Sequence, residues 1–150
     1  MNSLSFKTNF GWISVFEDKK MIVRIKFGKH RNKSVSQNLK KIKTNIINFL
    51  NKKTKVIKSN FFAAGNPIQK KVWKELTRIK LGQTKSYNEI AKKYKISPRY
   101  VGKICGQNKI VLLIPCHRVI RSDGKMGGFS GVGGVNLKKK LLKFEKKWKQ

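Results

Sequence analysis

The chain has 150 residues, 37 Lys and Arg against 6 Asp and Glu, a formal net charge of +31, and 39% hydrophobic residues that include Trp12, Trp73 and Trp148. That apolar content excludes wholesale disorder, and the length allows one ordinary domain, or a small domain leaning on a second, without disulfides. The charge selects a polyanion, DNA or RNA, as the partner class, with biased codon usage as a second source of the excess; no stretch approaches the roughly 18 apolar residues of a membrane span.

Met1 to Phe10 has no apolar core behind basic residues, so a cytoplasmic protein is expected, with no membrane partner. Residues 4–16 and 21–27, rich in Phe, Ile, Val and Trp, predict two strands joined by a hairpin turn at Glu17-Asp18-Lys19-Lys20. After a polar loop from Gly28 to Ser36, apolar residues at Leu39, Ile42, Ile46, Phe49 and Leu50 recur at helical spacing between Val35 and Asn51. Lys52 to Pro67 reads as a connection, which places a boundary near residue 60. The expected domains are 1–60, an abbreviated α/β unit of strand hairpin plus helix, and 61–150, mainly helical, in an α+β chain.

In the second part Ile68, Val72, Trp73, Leu76 and Ile79 line one helix face, with a stop at Leu81-Gly82. Ser86 caps a second helix that runs to about Tyr94. Ser97 is the N-cap, and Pro98 the first residue, of a third helix reaching about Cys105. Two short helices across so tight a turn form a helix-turn-helix, and the charge favours nucleic acid as its target. Ile110 to Ile114 is an apolar run that reads as a buried strand ending at Pro115-Cys116-His117-Arg118. A Gly-rich loop then covers Gly124 to Gly134, and Leu137, Leu141, Phe144 and Trp148 form the inner stripe of a closing helix.

The two cysteines, Cys105 and Cys116, have a single histidine nearby, too few ligands for a structural zinc site and a poor basis for a disulfide. A thiol becomes a nucleophile when its proton can leave, commonly to an imidazole oriented by a carboxylate. His117 adjoins Cys116, and Glu145 lies one helical turn past Leu141, so these three are the best-qualified triad by inventory. A plainer reading stands beside it: a packed thiol, a satisfied histidine, and Glu145 paired with Lys149 on the helix surface.

From Asn66-Pro-Ile-Gln-Lys-Lys-Val-Trp73 to Leu141-Leu-Lys-Phe-Glu145, centred on Leu113-Ile-Pro-Cys-His-Arg-Val-Ile120, the sequence resembles the O6-alkylguanine-DNA alkyltransferases. The likeness implies stoichiometric repair of O6-alkylguanine, and of O4-alkylthymine, in double-stranded DNA by a monomer that needs no cofactor. It implies Cys116 as alkyl acceptor, His117 as water-mediated base, Glu145 as its partner and Asn108 as the hinge asparagine. Tyr87 would help rotate the nucleotide and protonate guanine N3, Arg99 would fill the gap in the stack, Gly102 would allow close approach in the minor groove, and Arg118 would face DNA.

By the same resemblance the flipped base would lie against Val119, Met126, Gly127, Phe129, Ser130 and Gly131, where glycines let a planar base approach main chain. Ile68 stands where the family usually has phenylalanine, Val111 where some members carry a proline, and Phe129 where tyrosine is frequent. No cysteine precedes residue 105, so the zinc site of some relatives is not expected. Two rivals predict other behaviour: an alkyltransferase-like binding protein would lack Cys116, and a simple helix-turn-helix factor would not need it.

Overall fold

The computed structural model describes residues 1–129 and 133–149. The chain divides into two units, Met1–Ala64 with Lys109–Leu113, and Gly65–Asn108 with the residues from Ile114 onward. The first holds strands β1 (Asn2–Thr8), β2 (Gly11–Asp18) and β3 (Met21–Phe27) and helix α1 (Gln37–Leu50). The second holds α2 (Pro67–Leu76), β4 (Lys85–Ser86), α3 (Tyr87–Tyr94), α4 (Pro98–Gly106), β5 (Val119–Ile120) and α5 (Gly134–Lys149). The fold is α+β, and none of the described helices is long and apolar enough to cross a membrane.

The run 4–16, expected as one strand, is two. Thr8 Oγ donates to the Gly11 carbonyl at 2.7 Å and accepts from Phe10 N at 3.0 Å. Gly11 takes φ +94°, a left-handed value that suits glycine. The chain therefore reverses at Asn9-Phe10, with Thr8 opposite Gly11, and the sheet is a three-stranded antiparallel meander in the order β1-β2-β3. Period-2 alternation buries Leu4, Phe6, Ile13, Val15, Ile25 and Phe27, while the stripe Leu39, Ile42, Ile46, Phe49 and Leu50 is the buried side of α1. Each such side chain adds about 1.5–3 kcal/mol of apolar burial. Ser36 caps α1, its side chain accepting from Leu39 N.

Residues 109–113 join this unit through the edge of β3: Ile25 N donates to the Lys109 carbonyl at 2.9 Å and Val111 N to the Ile25 carbonyl at 3.2 Å. All five residues from Ile110 to Ile114 are buried. They do not form the expected strand, however. Beyond one bridge at Ile110 the chain turns, with Leu112 at φ +73°.

In the second unit the polar residues before each helix act as the sequence suggests. Asn66 and Gln69 form a capping box on α2 with Pro67 in its first turn, and Ser86 and Glu89 form another on α3. α2 ends at Leu76, short of the expected Leu81-Gly82, because Thr77 to Ile79 close in tighter turns. Lys95 in the left-handed region ends α3, and Ser97 caps α4, completing the helix-turn-helix. Trp73 Nε1 donates to the Ile104 carbonyl at 3.1 Å and ties α2 to α4.

Glu75, one of only six carboxylates, is buried on α2. It accepts from Lys93 at 2.9 Å, Lys85 at 3.0 Å, Arg78 at 3.1 Å and the Tyr94 hydroxyl at 3.1 Å. The Lys93 hydrogen bond leads the others in overcoming the cost of burial and holds this carboxyl down at about 2. It therefore stays anionic at neutral pH, where it neutralises part of the local lysine repulsion and links α2, β4 and α3.

Candidate active site

Pro115 precedes a single 3-10 turn, Cys116–Arg118, all three residues of which are buried. Cys116 N donates to the Ile114 carbonyl at 2.8 Å, and Asn108 Nδ2 donates to that same carbonyl at 2.8 Å. Asn108, just past the end of α4, thus fastens the residues leading to the thiol to the helix-turn-helix. β5 then pairs in parallel with β4, Lys85 opposite Val119 and Ser86 opposite Ile120. Because Ser86 also caps α3, this pairing holds Tyr87, the first residue of that helix, in fixed relation to the Cys116 turn.

Burial pushes the Cys116 thiol above its ordinary value, with the Asn108 side chain and the charge of Lys138 acting in the opposite direction. A buried thiol of this kind rests protonated and needs a base. His117 Nε2 lies 2.9 Å from Glu145 Oε2. Burial would raise the Glu145 carboxyl, but hydrogen bonds from His117 and Arg118 outweigh it and hold the group at about 2. An ionised carboxylate only accepts, so Nε2 carries the hydrogen and Nδ1 is the basic nitrogen of the neutral ring.

Arg118 corrects an expectation. It does not face outward toward DNA: its Nε and Nη2 donate to Glu145 at 2.8 and 2.9 Å, and Nη1 donates to the Ile79 carbonyl at 2.7 Å. A guanidinium fork matched to a carboxylate is a bidentate pair, and this one is buried. Both Glu145 oxygens thus accept from Arg118 and His117 in the interior.

A cavity of about 920 Å³ opens beside the thiol, bordered by Tyr87, Arg99, Gly102, Cys105, Cys116 and Phe129 among others. Arg99 is exposed on the first turn of α4. A Cβ on Gly102 would stand 3.9 Å from the Tyr87 ring, whereas one on Gly127, at φ +70°, would collide with that ring and its hydroxyl at 2.8 Å. Cys105 remains a buried thiol whose titration is pushed up to about 12, first by burial. Val119 and Met126, expected along the pocket, do not border this cavity: Val119 is buried against β4 and Met126 is half-buried. Ser130 and Gly131 lie outside the described residues.

Lys138 is the site residue that sequence reasoning missed. It is fully buried on α5, and its ammonium donates at 3.1 Å to both the Tyr87 hydroxyl and the Gly128 carbonyl. Within Lys138-Lys139-Lys140, in so basic a chain, it resembles a solvated lysine. The usable signal is its spacing of three and seven from Leu141 and Glu145, which puts it on the buried stripe.

Fold and site together define a helix-turn-helix protein that presents a buried thiol beside an oriented His–Glu pair. Residues 67–147 match the family model described as 6-O-methylguanine DNA methyltransferase, DNA binding domain, and the chain belongs to this family. It is 35% identical to the methylated-DNA--protein-cysteine methyltransferase of Sulfurisphaera tokodaii, over 93% of this chain and 90% of that one. It is 46% identical to the protein of the same name from Candida albicans, over 54% of this chain and 45% of the relative. In that match, as in others, the chain spans about half the length of the relative. Among solved structures it is similar to Mycobacterium tuberculosis OGT in complex with DNA, with a TM-score of 0.87, 25% identity and coverage of 99% of this chain and 94% of the other. It is also similar to an O6-methylguanine DNA methyltransferase from Methanococcus jannaschii, with a TM-score of 0.70, 26% identity and coverage of 95% and 93%.

Proposed function

We propose that the protein repairs DNA by direct, single-use alkyl transfer, taking the alkyl group from O6-alkylguanine in duplex DNA onto Cys116. The observation that carries this reading is the buried thiol at residue 116 next to His117, whose Nε2 is engaged by Glu145 at 2.9 Å. His117 accepts the thiol proton through a water molecule. The new bond joins Sγ to the alkyl carbon, the bond from that carbon to O6 breaks, and guanine leaves with a proton delivered to N3 by Tyr87. The thioether has no route back, so each molecule acts once.

Lys138 completes this assignment. Its ammonium donates to the Tyr87 oxygen and so leaves the phenolic hydrogen free for the base, while its positive charge favours both the Cys116 thiolate and the developing phenolate. The cavity of about 920 Å³ has room for a base rotated out of the duplex, which this chemistry requires because O6 lies on the major-groove edge of a paired guanine, away from a helix in the minor groove. The recognition helix α4 would lie in the minor groove with Arg99 entering the vacated stack. Residues 61–150 carry the chemistry, residues 1–60 support them, and O4-alkylthymine is a second, smaller substrate of the same pocket. The protein would act as a cytoplasmic monomer.

The test is incubation with duplex bearing one O6-methylguanine, followed by intact-mass and peptide mass spectrometry. One added methyl group on the peptide containing Cys116 is expected, and Cys116→Ala should abolish it. An unmodified Cys116 after prolonged incubation would overturn the reading. Arg99→Ala should slow repair of duplex more than reaction with free O6-benzylguanine, and equal losses on both would refute its role in the stack.

A further inference from the structure

The first unit is strongly basic. Residues 1–64 contain 15 Lys and Arg against two carboxylates, Glu17 and Asp18. Glu17 is buried and accepts from Asn2 at 3.0 Å and Asn38 at 2.6 Å, so it does not offset the surface charge. On this unit a groove of about 840 Å³ runs between α1 and residues 54–60, with Lys41, Lys55 and Lys58 along it.

The rims of the groove are fixed. Asn45 on α1 donates to the Lys58 carbonyl at 2.8 Å, and farther along Ile22 N donates to the Asn60 carbonyl at 3.0 Å and Phe62 N to the Ile22 carbonyl at 2.9 Å. The three lysines, by contrast, are exposed and form no ion pair among the described residues. Like charges around a concave surface with low-dielectric walls focus a positive potential into it. One of these lysines belongs to α1 and two to the facing segment 54–60, so positive charge borders the groove from both sides, which suits a polyanion. Duplex DNA presents one phosphate charge per about 1.7 Å of its axis.

We propose that this groove is a second DNA-binding surface, holding the sugar-phosphate backbone of undamaged duplex through Lys41, Lys55 and Lys58, apart from the alkyl-acceptor site. The choice of duplex DNA rests on the repair reading above. Such a surface reads no sequence and flips no base. It raises the residence of the protein on bulk DNA, where a single-use acceptor must find rare lesions.

The test compares the full chain with the triple variant Lys41→Gln, Lys55→Gln, Lys58→Gln and with a control of equal charge loss on the exposed face of α5, Lys139→Gln, Lys143→Gln, Lys146→Gln. Binding of an undamaged duplex is titrated against salt. The groove variant should bind at least tenfold more weakly at low salt, with the slope of log K against log salt reduced by about 2–3, since each phosphate neutralised contributes about 0.9. The control should change the slope by less than about 1. Alkylation of Cys116 by free O6-benzylguanine should stay within about twofold of the parent in the groove variant, showing an intact fold. An unchanged slope, equal effects from the two triples, or a loss confined to single-stranded RNA would each overturn the proposal. If the parent protein is not alkylated at all, the repair reading fails while the duplex titration still decides the groove.

Discussion

Lys138 Nζ stands 3.1 Å from the Tyr87 hydroxyl oxygen and 5.5 Å from the centre of the Tyr87 ring, with the lysine side chain fully buried. Burial depresses the titration of this ammonium, and its charge in turn lowers that of Cys116. Lys138→Met keeps the apolar volume and removes the cation. Without that cation the thiolate is less favoured, so the rising limb of alkyl transfer against pH should move up by about one unit, with the rate at pH 7 down about tenfold. Stopped-flow transfer rates from pH 6 to 9 check this. A profile superimposable on the parent's would show that the charge does not act on the thiol.

Arg118 holds Glu145 through two hydrogen bonds and is itself anchored by the Ile79 carbonyl. Removing one partner of a buried ion pair leaves an uncompensated charge, which costs about 3–5 kcal/mol. Arg118→Ala should therefore lower the urea midpoint strongly at pH 7. Arg118→Lys keeps the charge but loses the fork and should fall in between. Binding of DNA by whatever protein remains folded should be unchanged, because the residue is buried.

Glu75 links stability to pH. Its carboxyl titrates at about 2 in the folded protein against an ordinary 4.5, so the folded state binds the proton less readily than the unfolded chain. The stability this contributes is fully present above about 4.5 and is lost as pH falls toward about 2. Glu145 is depressed in the same direction and shares that window. Urea midpoints measured from pH 7 to pH 2.5 should fall steeply below about 4.5. Glu75→Gln should start lower at pH 7 and show a shallower acid limb, with the remaining slope due mainly to Glu145.

Two glycines facing the same tyrosine should behave oppositely. Gly102 lies inside α4, where alanine is favoured by about 0.5–1 kcal/mol, and its added Cβ would make ordinary contact with Tyr87 at 3.9 Å. Gly102→Ala should leave thermal stability equal or higher, yet weaken duplex binding, since the added methyl stands on the helix proposed to enter the minor groove. Gly127→Ala combines a left-handed backbone with a 2.8 Å collision against Tyr87. It should slow alkyl transfer at least tenfold, including transfer from free O6-benzylguanine. Calorimetry and transfer rates on both variants separate the two cases.

Much of this architecture is legible in the order of residues because it depends on local rules. Ser36, Asn66, Ser86 and Ser97 announce helix starts whatever the rest of the chain does, since each offers a side-chain acceptor to an otherwise unpaired amide. The run from Pro115 to Arg118, with Glu145 on the buried stripe of the last helix, already points to the chemistry. Local rules also mislead. Asn9-Phe10 lies between two stretches rich in aromatic residues, and the reversal there depends on a Thr8 hydroxyl that composition does not reveal.

What the sequence by itself determined is the helix-turn-helix and a cysteine set beside a histidine at residues 116 and 117, because capping, periodicity and short motifs are properties of neighbours along the chain. What only the tertiary structure decided is which charges are buried together. Arg118 and Lys138 look like two more cations among 37. Folding alone puts one on Glu145 and the other on Tyr87, where low dielectric makes each count for far more than any lysine left in water.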